Sequence, residues 1–205
     1  MTADEKRSGK KRIGKASKPV TPQSLERSAL HYLERFSAST ASLRRVLIGK
    51  LRRAAEFSQE EGPQGASLEE GKAWIEALIL RFTQAGYLDD DAYAAQKARS
   101  LLRRGRSVSA IRQTLAQKGV DASLTEQALD SLCEEESPEA DRHSLDLTAA
   151  IALARRRRLG PFRSEAQRAD LRAKDLATLG RAGFSFDLAR RVVDAPSVES
   201  LTEEG

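Results

Sequence analysis

The chain has little of what disulfides, secretion and membrane insertion require. Its 205 residues include a single cysteine, Cys133. One cysteine excludes an internal disulfide and fits a reducing compartment. No segment approaches the roughly 18 consecutive apolar residues of a membrane span, and residues 1–18 lack the apolar stretch of a secretory signal. We therefore expect a cytoplasmic protein that makes no membrane contact.

The sequence also lacks a catalytic constellation. His31 and His143 are the only histidines, and they are far apart in the chain. The stretch Gly65–Lys72 superficially resembles a phosphate-binding loop, but five residues separate its two glycines where four are required. The acidic run Asp89–Asp91 is better explained as the start of a helix. We therefore predict a protein that is not an enzyme and that has no cofactor and no metal site.

Aromatic residues make up only 5% of the chain and charged residues 32%, which favours packed amphipathic helices over a β-sandwich or barrel. The sequence therefore predicts an all-α fold. Thr21-Pro22 has the form of a helix start, and Gly86 has the form of a helix end. Ser123 to Glu126 has the spacing of a capping box at the start of a later helix.

The predicted helices recur in groups of three. The segments Ser39–Leu47 and Ser107–Leu115 share serine, arginine and leucine at the same spacing, 68 positions apart. Turns of glycine followed by an apolar residue recur at Gly86, Gly119 and Gly183. Small modules of this kind bury little surface alone, so we expect tandem three-helix repeats in an elongated array that can curve. The predicted divisions are a disordered basic tail (1–20), repeat 1 (21–86), repeat 2 (87–136), a divergent repeat 3 (137–195) and a disordered acidic tail (196–205).

Net charge is a poor guide to partners here, because the formal charge of +5 is accounted for by residues 1–18. The rest of the chain has equal numbers of basic and acidic residues, so any binding surface must come from segregated charge. Residues 97–118 hold seven basic side chains and no acidic one, and Arg155 to Arg158 form a second basic run. A third run lies between Arg44 and Arg53.

These basic runs have two interpretations, a solvated helix face or a surface that binds an anionic partner. Gln96, Arg99 and Arg103 recur on one face of a predicted helix, and a face without local acids favours binding. The residues predicted to bind a partner are Arg99, Arg103, Arg104, Arg106, Arg112, Lys118, Arg155, Arg156, Arg157 and Arg158.

The stretch Gly86–Val120 also resembles the central signature of the RecX family. The resemblance is carried by Gly86-Tyr87-Leu88-Asp89-Asp90, Tyr93-Ala94, Arg104-Gly105, Ile111-Arg112 and Lys118-Gly119-Val120. The earlier segment Ala29–Leu47 is similar to the first repeat of that family.

The resemblance implies a regulator built from tandem three-helix repeats, without catalytic residues. Such a protein lies in the groove of the RecA–DNA filament and inhibits recombination and the coprotease activity of the filament, within DNA repair and the SOS response. Its basic face would meet acidic filament surface or exposed DNA. Two alternatives stay open: a helical protein that binds single- or double-stranded DNA without sequence preference, and a helical-repeat scaffold for another partner. We expect a monomer.

Overall fold

The computed structural model describes residues 20–58, 67–137 and 139–201, and within these ranges the all-α prediction is confirmed. They form nine α-helices and two short 3₁₀ helices, and they contain no strand. None of the helices in these ranges is long and apolar enough to cross a membrane. Residues 1–19 of the predicted basic tail and residues 202–205 of the predicted acidic tail lie outside the described residues.

The first three helices form a group with its own core. They are α1 (Pro22–Leu33), α2 (Thr40–Ser58) and α3 (Leu68–Gln84). Capping boxes begin α1 at Thr21 and α3 at Ser67, because each hydroxyl accepts from the backbone N–H three residues later. The core of this group is apolar and closed, and its fully buried residues are Leu25, Ala29, Leu43, Leu47 and Ile75.

The remaining six helices form two further groups that share one continuous core. The second group is α4 (Asp90–Arg103), α5 (Val108–Gln117) and α6 (Ala122–Glu136). The third group is α7 (Arg142–Arg157), α8 (Glu165–Arg181) and α9 (Phe186–Val193), with 3₁₀ turns at Gly160–Phe162 and Glu199–Leu201. Helix α9 is a short amphipathic helix, and its inner face buries Leu188, Ala189, Val192 and Val193.

Two local expectations are corrected by the structure. The capping box predicted at Ser123 does not form, because Asp121 is the N-cap of α6 and its carboxylate accepts from the Ser123 N–H at 2.8 Å. The predicted acidic tail begins too early, because residues 196–201 pack on the third group. Leu201 is only 3% exposed and joins the shared core, so its apolar side chain anchors this segment.

The first and second groups meet at a contact that we call the first joint. The Asp90 carboxylate accepts from the backbone N–H of Thr40 at 2.7 Å, at the start of α2. The buried hydroxyl of Ser39 donates to the carbonyl of Lys118 at 2.6 Å, and Gly119 packs against Ala41 without room for a side chain. These contacts satisfy backbone groups that a helix end leaves without intrahelical partners.

The second and third groups meet at the second joint, which also uses an aspartate and a serine. The Asp146 carboxylate accepts from the backbone N–H of Val108 at 2.6 Å, at the start of α5. The Ser107 N–H donates to the carbonyl of Ala182 at 3.4 Å, and Gly183 packs against the Ser107 side chain. The serines that matched in the sequence therefore occupy equivalent positions at two equivalent joints.

Candidate functional site

The ends of α4 and α7 concentrate arginine for a local reason. Arg103 ends α4, and Arg104 is its C-cap; Arg155, Arg156 and Arg157 form the last turn of α7. Cations near a helix C-terminus are favoured by the negative end of the helix dipole. Several positive charges are therefore more favourable at these two helix C-termini than they would be at a helix N-terminus.

The fold brings these two helix ends together. Arg156 Nη2 donates to the backbone carbonyl of Arg104 at 2.7 Å. Gly105, which ends the α4 turn with φ +67°, lies so close to α7 that an added Cβ would be 2.6 Å from the Leu153 Cβ. We call the arginines gathered here the arginine cluster; they are Arg103, Arg104, Arg106, Arg156, Arg157 and Arg158.

Most of the arginine cluster faces solvent without a counter-charge. Arg103, Arg104, Arg157 and Arg158 are exposed, and Arg106 is half-buried. None of these five guanidinium groups forms an ion pair with an acidic residue in the described part of the chain. Guanidinium groups in this state are available for paired hydrogen bonds to carboxylates or phosphates of a partner.

Arg99 and Arg112 differ from the cluster because α6 supplies acids to both. Arg112 forms a two-bond contact with Glu126, at 2.7 and 2.8 Å, and this hydrogen bonding holds the pKa of the Glu126 carboxyl below its usual value. Arg99 pairs in the same way with Glu135. The absence of acids within residues 97–118 was therefore misleading for these two positions, since the acids come from a helix that follows later in the chain.

The other two predicted residues lie at the edges of this region. The Arg155 guanidinium lies 5.7 Å from the ring centroid of Phe162, an arrangement that holds it by a cation–π contact. Lys118 is half-buried at the first joint, beside Gln117, whose carbonyl accepts from Arg45 Nη2 at 3.3 Å. Six of the ten predicted residues thus lie in the arginine cluster, and four lie outside it.

Arg158 has a backbone conformation that is unusual for a residue with a side chain. Its φ is +54°, and among the described residues it is the one non-glycine residue with positive φ. A side chain in this left-handed conformation costs roughly 1–2 kcal/mol, which is why glycine is usual at such a helix end. An exposed arginine occupies this position despite that cost.

A buried ion pair contacts the loop that follows Arg158, and sequence patterns do not reveal this pair. Asp175 is 1% exposed and accepts from Arg163, at 2.8 and 3.0 Å, and from the Gly160 N–H at 3.0 Å. Burial alone would raise the pKa of Asp175, but these hydrogen bonds outweigh it and the pKa is lowered. The carboxylate therefore stays ionised and holds the Arg158 turn in place.

Comparisons with known proteins agree on one family. The family model for the second three-helix domain of RecX matches residues 89–129, which lie in α4, α5 and α6. The regulatory protein RecX of Myxococcus xanthus (strain DK1622) is 40% identical over 94% of this chain and 98% of its own length. The regulatory protein RecX of Agrobacterium fabrum is 30% identical over 84% and 83%.

A solved structure is similar in fold. The crystal structure of RecX from Lactobacillus salivarius superposes with a TM-score of 0.53, over 89% of this chain and 95% of that one, at 18% identity.

Proposed function

The chain belongs to the RecX family of regulatory proteins, and from that premise we propose that it binds the RecA nucleoprotein filament and inhibits or modulates its recombinase and coprotease activities. Membership confirms the resemblance carried by Gly86–Val120. In this proposal the protein acts in the cytoplasm as a monomer, by contact alone and without catalysis of its own.

The arginine cluster is the observation that carries the proposal. A filament of protein and DNA offers carboxylates and phosphates, and arginine binds both through paired hydrogen bonds. The cluster combines two helix ends from different groups, so a partner that contacts it would also span the second joint. We propose that Arg103, Arg104, Arg106, Arg156, Arg157 and Arg158 form the main contact.

Arg99, Arg112, Lys118 and Arg155 have a smaller part in this proposal. Arg99 and Arg112 are already paired with Glu135 and Glu126, so a partner would have to displace an existing contact. Exposed ion pairs of this kind are weak, which keeps such an exchange feasible.

We also propose that the three helix groups are tandem repeats with the divisions 21–86, 87–136 and 137–195. The equivalence of the two joints supports this proposal: Ser39 corresponds to Ser107, and Asp90 corresponds to Asp146. A row of repeats suits a filament, because its partner surface also recurs at regular intervals.

Neutralising three exposed arginines of the cluster tests the proposal. The variant combines Arg103→Gln, Arg104→Gln and Arg157→Gln, and the matched control combines Arg27→Gln, Arg52→Gln and Arg53→Gln. Both remove three positive charges from exposed positions, and glutamine is a good helix former. We expect wild type and control to inhibit ATP hydrolysis and strand exchange by RecA on single-stranded DNA, and the cluster variant to lose most of that inhibition.

Two results would contradict the proposal. Wild type that leaves RecA activity unchanged would remove the assigned partner. Inhibition that disappears whenever bare DNA is added in excess would instead favour a protein that binds DNA without sequence preference.

A further inference from the structure

A groove lies beside the first joint, on surface that the arginine cluster does not include. It encloses about 440 Å³ between the end of α1, the α3–α4 turn and one face of α4, within the size range of roughly 300–1,000 Å³ that ligand pockets take. Its walls belong to two helix groups, which Ser37 and Gln96 link through a hydrogen bond of 3.3 Å. The lining is mainly apolar and includes Leu33, Phe36, Ala38, Tyr87, Ala92 and Tyr93.

Two aromatic side chains line this groove, and each contacts a second aromatic ring while it remains exposed to solvent. Phe36 is 51% exposed, and its ring lies 5.2 Å from that of Tyr32 and 5.6 Å from the Arg35 guanidinium. Tyr87 is 61% exposed and rests 5.3 Å from the ring of Phe82. Both rings are thus supported from behind, so a partner would meet surfaces that lose little freedom on binding.

The charge at this groove differs from that of the arginine cluster. Among the described residues, Asp89 is the one charged residue of the lining, and the Arg35 guanidinium lies outside the lining, 5.6 Å from the Phe36 ring centroid. Asp91, two residues further along, is exposed and has no ion-pair partner among the described residues. Carboxylates at this edge would repel phosphates and attract lysine or arginine.

We propose that this groove docks a protein segment in which an apolar side chain is followed or preceded by lysine or arginine. The apolar side chain fills the space between Phe36 and Tyr87, and the basic neighbour lies against Asp89 and Asp91. The proposal rests on the proposed function, because it assigns this segment to the protein component of the RecA filament. The apolar part of this contact then depends little on salt, whereas the contacts of the arginine cluster depend on it strongly.

A pair of alanine variants tests the groove. Phe36→Ala with Tyr87→Ala removes both rings, and the matched control is Phe186→Ala with Leu80→Ala, two large apolar residues that are 66% and 60% exposed on other surfaces. Binding is measured to RecA filaments on single-stranded DNA held with a slowly hydrolysed ATP analogue. We expect the groove variant to bind about tenfold more weakly or worse, since aromatic anchors dominate interfaces, and the control to bind as wild type does.

A second variant tests the charge of the partner without altering the rings. Asp91→Lys reverses an exposed charge and leaves the Asp89 cap intact, and we expect it to weaken filament binding. Tighter binding would overturn the assignment of a basic segment.

Further outcomes separate the groove from the proposed function. If the wild-type protein does not bind filaments, the proposed function is wrong, and so is the occupant assigned to the groove. Filament binding by wild type and groove variant with equal affinity overturns the groove alone. If the groove variant loses affinity for bare single-stranded DNA to the same extent, the occupant is a nucleobase. If wild type self-associates and the groove variant does not, the occupant is a second copy of the chain. Either result overturns the proposal.

Discussion

The first and second joints use one packing scheme for two different surfaces. In both, an aspartate from one helix group accepts from the backbone at the start of a helix in the group before it, at 2.7 Å for Asp90 and 2.6 Å for Asp146. The loop after the first helix of each group then decides what the joint presents to solvent. That loop presents Phe36 at the first joint and Arg104, 68 positions later, at the second.

The difference in shape follows from small residues. At the second joint, Gly105 and Ala149 let the loop approach α7 until their backbones are in contact. At the first joint, the corresponding positions are Ser37 and Tyr93, and both line the groove. The same aspartate contact therefore accompanies an apolar groove at one joint and a cationic surface at the other, where the two helix groups also share one core.

The largest effect is expected from adding a side chain at Gly105, where the loop after α4 packs closely on α7. Gly105→Ala places a methyl group 2.6 Å from the Leu153 Cβ and 2.9 Å from the Ala149 carbonyl. Overpacking and left-handed strain together should cost about 2–5 kcal/mol of unfolding free energy in urea. Gly86→Ala is the control, because Gly86 has φ +75° but no atom within 4 Å of an added Cβ. It should cost about 1–2 kcal/mol, and equal costs at the two glycines would show that close packing at the second joint is unimportant.

A smaller effect of opposite sign is expected at Arg158. Arg158→Gly relieves the left-handed strain, so it should raise the free energy of unfolding by up to about 1 kcal/mol. Arg157→Gly, one residue earlier within α7, should lower it by about 1 kcal/mol. Both variants should weaken filament binding, because each removes an arginine of the cluster. Arg158→Gly with full affinity would mean that the strained arginine is not kept for binding.

The smallest effect is expected at Asp146, and it depends on pH. Burial raises the pKa of this carboxyl above its ordinary value of 3.8, although the Val108 N–H opposes the shift. Because the pKa is higher in the folded state, the contribution of this carboxyl to stability is fully present below the unfolded-state pKa. It is lost as pH rises through the folded-state pKa.

Asp146→Asn keeps an acceptor for Val108 and removes this titration. The variant should therefore gain stability relative to wild type as pH rises from about 3 to about 7, by well under about 1 kcal/mol. Urea unfolding at several pH values checks this. If wild type instead gained stability over the variant in this pH range, the ionised Asp146 carboxylate would stabilise the fold.

Much of the fold could be predicted because its signals are local. The helix start at Thr21 and the helix end at Gly86 depend on residues within one turn. The start of α6 was misplaced because Asp121 and Ser123 are both good caps, and the Asp121 carboxylate accepts from the N–H and the hydroxyl of Ser123.

The candidate site was only partly predictable, because charge pairing and grooves depend on tertiary contacts. The pairs Arg99–Glu135 and Arg112–Glu126 join residues 36 and 14 positions apart, and no local pattern identifies them. The groove between Phe36 and Tyr87 requires the first two helix groups to meet. The contact between the ends of α4 and α7 likewise combines two arginine runs that the sequence shows separately.

The salt dependence of filament binding tests the central claim, that the arginine cluster contacts the RecA filament, most directly. Affinity for filaments on single-stranded DNA is measured at increasing salt, from about 0.05 to about 0.5 M, for wild type, the cluster variant (Arg103→Gln, Arg104→Gln, Arg157→Gln) and its charge-matched control (Arg27→Gln, Arg52→Gln, Arg53→Gln). The account predicts that the cluster variant binds more weakly and with a shallower dependence on salt, while the control follows wild type. Equal behaviour of cluster variant and control would contradict it, because binding would then depend on net charge and not on where the arginines lie.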